Sequence, residues 1–140
     1  MTPAQSKPEK TRQFLVIVWV VLVASVGVYY FLTTILKPAN PDLNSPLVFP
    51  LLGVAILMVP ASLYLKARFG AREGQTRSIG MIRQAYIVAL VFDEVPALIG
   101  LIVFLLSAWP QYWVFFVISE AGFLLNFPRR DDFEPAERNY

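Results

Sequence analysis

Residues 84–107 read QAYIVALVFDEVPALIGLIVFLLS. About 20 helical residues, rising about 1.5 Å each, match a bilayer hydrocarbon core of about 30 Å, so this run predicts a transmembrane helix. Two acids interrupt it, Asp93 and Glu94, and both fall close to its middle. A carboxylate at that depth is costly unless it is protonated, paired or wet, so the pair is the first candidate site in the chain.

The rest of the composition agrees with a membrane setting. Of 140 residues, 56% are hydrophobic and only 16% are charged, a balance too apolar for an ordinary soluble domain. Cysteine and histidine are absent. That removes disulfides, thiol nucleophiles, His or Cys metal sites and histidine heme ligation, and with them most redox and hydrolytic chemistry. The net charge of +2 does not point to nucleic acid, because the cations stand beside apolar runs, where topology and anionic lipid account for them.

Three further apolar runs accompany the first. Residues 13–36, 46–66 and 110–127 complete an expected all-α integral membrane protein of four transmembrane helices, the last a little short for a span. Residues 1–12 read as a polar, mobile arm, 67–83 as a basic connection and 131–140 as an exposed tail of mixed charge. Ser45 and Pro46 suit the start of the second helix, while Pro50 and Pro60 fall inside that run and are expected to bend it. With four spans, eleven of the twelve cations fall on one side and only Lys37 on the other. The positive-inside rule then puts both termini in the cytoplasm of a multi-pass cell-membrane protein, of the bacterial inner-membrane type.

Candidate residues follow from depth and helical phase. Counting inward from Arg83 and from Trp109, Glu94 and Glu120 each come about 16 Å deep, on neighbouring antiparallel helices. Facing each other, they would share a proton near neutral pH, the arrangement that a proton or sodium site needs. Asp93 is turned about 100° from Glu94 and shares its face with Ala85, Ala89, Pro96 and Gly100, a row of small residues suited to close helix contact. Ala97 on the third run, and Ser119 and Gly122 on the fourth, are further packing candidates, whereas Asn126 reads as interfacial. Tyr29 and Tyr30 suit the far interface of the first helix. Trp109, Tyr112 and Trp113 read as an aromatic anchor, and Arg83, Arg129 and Arg130 as basic anchors.

The stretch AYIVALVFDEVPALIGLIVFLL, preceded by a basic loop, resembles the carboxylate-bearing second helix of the rotary ATPase proteolipid, subunit c. In that family a buried Glu or Asp is followed by a small or proline residue and then Gly-Leu, a pattern matched by Glu94, Pro96, Ala97, Gly100 and Leu101. The resemblance covers residues 84–107 and implies that Glu94 is the ion-binding carboxylate. The preceding run, with one glycine and with Pro50 and Pro60 inside it, departs from the glycine-rich first helix of that family.

Two functions compete on this reading. The first is a non-enzymatic accessory or structural subunit packed in a larger energy-converting membrane complex, respiratory, photosynthetic or ATPase-type. Its partners are membrane lipid and other integral membrane subunits, with no catalytic residues and no metal site. The second is proton or cation translocation through the carboxylate pair, with H+ or Na+ as the ion. No residue pattern selects an organic cofactor, although the eleven Phe, six Tyr and three Trp supply surfaces suited to lipid, quinone or pigment.

Overall fold

The computed structural model describes residues 7–37, 46–70, 79–107 and 109–133. It is all-helical over these residues: α1 is Lys7–Ile35, α2 Val48–Gly70, α3 Ile79–Ser107 and α4 Trp113–Leu125, followed by a short 3-10 turn, Arg130–Asp132. The first three are long and apolar enough to cross a membrane. The fourth is not. Its 13 residues rise only about 20 Å, so the expected span over 110–127 is helical over a shorter length. Residues 110–112 form a turn before it, and Asn126 ends it with its main-chain N–H bonded to the Gly122 carbonyl.

Other boundaries also move. Helix α1 already begins at Lys7, so the second half of the expected arm is helical, with Glu9 and Arg12 paired at 3.6 Å across one turn. Helix α2 runs on to Gly70 and α3 starts at Ile79, which leaves the expected 67–83 connection no longer than 71–78; those residues, like Ser45 and the segments 1–6 and 134–140, lie outside the described set. Pro50 falls in the first turn of α2, where N–H groups have no intrahelical acceptor, so of the two prolines only Pro60 is interior. Pro60 removes the N–H that the Ile56 carbonyl would otherwise accept.

Helix α3 is the hub, touching α1, α2 and α4, and it is more buried than either α1 or α2. Its inward face is Ile82, Ala85, Tyr86, Ala89, Leu90, Asp93, Pro96, Ala97, Gly100, Val103, Phe104 and Ser107. The steps of three and four between these residues are the helical period of a single buried face. Gly100 brings α4 close: a Cβ there would stand 2.6 Å from the Phe115 Cβ.

The two ends of the bundle differ in character. At one end Tyr112 tilts against Phe104 and its hydroxyl accepts from Thr33 Oγ1 at 3.3 Å, while Trp109 meets Phe115 edge-on. Trp113 is half exposed beside them. At the other end Leu15, Ile82, Tyr86 and Phe133 form one apolar cluster. Basic residues collect around this second end: Arg83 lies over the Phe14 ring, Lys66 lies over Tyr86 and pairs with Asp132 at 3.7 Å, and Arg129 and Arg130 are exposed beside the turn.

The tail is exposed at Asp131, as expected, but turns inward at Phe133. Phe133 is 2% exposed and stacked on Tyr86, and Asp132 accepts a hydrogen bond from the Tyr86 hydroxyl. Helix α4 and residues 126–133 together therefore run the length of the bundle, from the Tyr112 end to the Phe133 end. The helical half ends near the middle, and the rest is turn and extended chain.

Candidate functional site

Polar side chains meet inside the bundle at Asp93, the midpoint of α3. Asp93, Ser62, Ser119 and Asn126 are all fully buried. Ser62 Oγ donates to Asp93 Oδ1 at 2.7 Å, and Asn126 Nδ2 donates to Asp93 Oδ2 at 2.7 Å and to Ser62 Oγ at 2.9 Å. Ser119 Oγ donates to the main-chain carbonyl of Asp93 at 2.5 Å. One residue of α3 is thus bonded to α2, to the body of α4 and to the residue that ends α4.

Local structure makes this convergence possible. Ser62 lies one turn before Lys66 on α2, and its hydroxyl also reaches the Val59 carbonyl at 2.7 Å, so the side chain is held over its own helix. Gly122 supplies the space. A Cβ at that position would meet Asp93 Oδ1 at 2.6 Å and Cγ at 2.8 Å, so the carboxyl rests directly on the α4 backbone. Asn126, expected at the interface, is instead wholly inside, and its Oδ1 has no hydrogen-bond partner among the described residues.

Glu94 turns the other way. Its Oε1 accepts from Ser25 Oγ at 2.8 Å and from the Tyr29 hydroxyl at 2.9 Å, both on α1. Tyr29, expected at the far interface, is therefore a donor turned inward to an acid near the middle of α3. A second tie holds α1 to α4, where Trp19 Nε1 donates to the Phe123 carbonyl at 2.8 Å.

The expected Glu94–Glu120 pairing is absent from the hydrogen bonds of the described residues. The two glutamates are placed differently: Glu94 reaches α1, whereas Glu120 is half-buried and makes no hydrogen bond or ion pair among the described residues. The packing candidates Ala85, Ala89, Pro96, Ala97 and Gly100 line the buried face of α3, and Ser119 and Gly122 meet Asp93. Among the described residues no three His, Cys, Asp or Glu side chains come together as a metal site.

A cavity of about 270 Å³ opens at the basic end, lined by Leu63, Lys66, Ala67, Ile82, Ala85, Tyr86 and Asp132. It lies one turn from Ser62 on α2 and from Ala89 on α3. Its polar groups are already paired with one another.

The two acids of α3 should differ in weight. Tyr29→Phe removes one of the two donors to Glu94 and leaves Ser25, so a loss of about 0.5–1 kcal/mol is expected for a single interhelical bond in a membrane protein. The melting midpoint of the purified protein in mild detergent measures it. A larger loss than that caused by Asp93→Ala would reverse the ranking of the two clusters.

No protein-family model matches the chain, nor does any curated protein or solved structure.

Proposed function

We propose that this protein is an accessory or structural subunit of a larger energy-converting membrane complex, with other integral membrane subunits as its partners. The observation that carries the reading is the use made of Asp93 and Glu94. Each is bonded within the chain, Asp93 to α2 and α4 and Glu94 to α1, so both acids act as crosslinks between helices. A carrier carboxyl must exchange its ion with water, and Asp93 is closed off from it on every side.

In this reading the basic end faces the cytoplasm, as cations do in short membrane-flanking segments. The fourth crossing is made by α4 together with residues 126–133, which requires the main-chain polar groups of that stretch to be shielded by protein or to lie near the interface. The outward apolar faces of α1 and α2, with Ile17, Val21, Phe31, Phe49 and Leu57 all exposed, meet lipid tails or neighbouring subunits.

The test is purification of the tagged protein from its native membrane in a gentle detergent, followed by mass spectrometry of the proteins migrating with it. A stoichiometric larger complex is expected, and its membership names the process. Migration alone would defeat the proposal.

A second reading, proton translocation, rests on one feature of the Asp93 cluster. Ser62 has a single hydroxyl hydrogen and two acceptors at 2.7 Å, the Val59 carbonyl and Asp93 Oδ1. A proton on Asp93 would satisfy both, by donating to Ser62 while Ser62 donates to Val59. The three side chains already touch at hydrogen-bond distance, which leaves no gap for Na+ between them. Flux into proteoliposomes from wild type, lost in Asp93→Asn and Glu94→Gln, would favour this reading; absence of flux in all three favours the accessory one.

A further inference from the structure

Glu120 is the acid of the bundle that the fold leaves unanswered. The hydrogen bond from neighbouring Ser119 to the Asp93 carbonyl fixes its level, because Asp93 is the midpoint of the 29-residue α3. Glu120 therefore lies about 20 Å from either end of that helix. It is half-buried, with no hydrogen bond or ion pair among the described residues. Trp113, Val117 and Leu124, spaced by four, three and four residues around Glu120, are 50%, 55% and 67% exposed, so the carboxyl is set in an outward apolar stripe.

We propose that this face of α4 is the docking surface for a transmembrane helix of another subunit, one that presents a Lys or Arg at the level of Asp93. The inference rests on the accessory-subunit reading and names its contact. At this depth lipid offers only methylenes, and a carboxyl without a partner there is penalised. A basic side chain supplies complementary charge and, for Arg, two parallel donors. A second copy of this chain cannot supply it. The cations of its helices are Lys7, Lys10 and Arg12 at the start of α1, Lys66 and Arg68 at the end of α2, and Arg83 near the start of α3, while α4 has none. Lys66, one turn from the level of Asp93, is already paired with Asp132 and lies over the Tyr86 ring, the other cations stand toward helix ends, and a copy docked on this face would bring its own acids to the middle.

The experiment places a photo-crosslinking amino acid at Val117 in the tagged protein in its native membrane and maps the crosslinked residue by mass spectrometry. It is run beside Glu120→Leu and Glu120→Gln purified in gentle detergent. The expected crosslink falls in an apolar span of a different subunit, within one turn of a Lys or Arg. Glu120→Leu should lower recovery of that subunit by about tenfold or more, with Glu120→Gln between it and wild type. Replacing the partner's basic residue by Leu should have the same effect. Both Glu120 variants should melt like wild type, because the Asp93 cluster is untouched.

Wild type that migrates alone would defeat the accessory reading itself. Wild type that keeps its complex while Glu120→Leu keeps it equally well would overturn only the docking face. Crosslinks confined to lipid, or to a second copy, would also overturn it.

Discussion

Asp93→Ala is expected to lower the stability of the bundle by about 2–4 kcal/mol. Two interhelical bonds disappear at once, each worth about 0.6 to 1.7 kcal/mol in membrane proteins, and the space vacated beneath Gly122 adds a cavity cost. Asn126 also keeps a buried amide with only Ser62 to receive it. Asp93→Asn is expected to stay within about 1 kcal/mol of wild type, since the amide can reproduce the whole pattern. Its nitrogen would donate to Ser62 Oγ, which then donates to Val59, and its oxygen would accept from Asn126. Melting midpoints of the two variants in one detergent make the comparison. Equal losses would mean that the cluster does not depend on hydrogen bonding, and the role given to Asp93 would fall.

Gly122→Ala tests the same contact from the other helix. The new Cβ would stand 2.6 Å from Asp93 Oδ1, and the carboxyl cannot swing aside because Ser62 and Asn126 hold both of its oxygens. Helix α4 must move instead, which lengthens the Ser119 bond to Asp93 and the Trp19 bond to Phe123. Overpacking of this kind costs about 1–3 kcal/mol. The expected outcome is a lower melting midpoint together with faster proteolysis of the segment after Leu125. Gly27→Ala and Gly53→Ala are the controls: a Cβ at either position meets nothing within 4 Å, and removing a mid-helix glycine should leave stability unchanged or raise it slightly. If Gly122→Ala behaves like these controls, α4 is not seated on Asp93.

Level along the bundle is legible from the chain, and azimuth is not. The rise per residue places Asp93, Glu94 and Glu120 at one level without any knowledge of neighbours. Which way each side chain looks depends on how α2 and α4 are rotated against α3, and a single sequence carries little about that. Hence Glu94 turns to Tyr29 on α1 and not to Glu120. Ser62 gave no signal for a related reason: a lone serine in an apolar helix commonly bonds its own preceding turn, as this one does with Val59, and only the packed bundle reveals its second partner. Asn126 was misplaced because closeness to a helix end resembles closeness to water. Here the helix ends inside the bundle, and the chain continues beyond it to Phe133.

That ending has a consequence for biogenesis. Trp19 is held by the carbonyl of a residue 104 positions later, and Phe133 closes the cluster around Leu15. Helix α1 is therefore secured by residues made about a hundred positions after it. As the chain leaves the ribosome, α2 and α3 can form a hairpin with Asp93 already bonded to Ser62, and α1 can join α3 through Glu94, but the Trp19 bond and the Phe133 side of the Leu15 cluster wait for α4 and the following segment. A chain stopped before Gly122 would hold Asp93 bonded to Ser62 on one side and uncovered on the other, so the acid is enclosed only when α4 is in place.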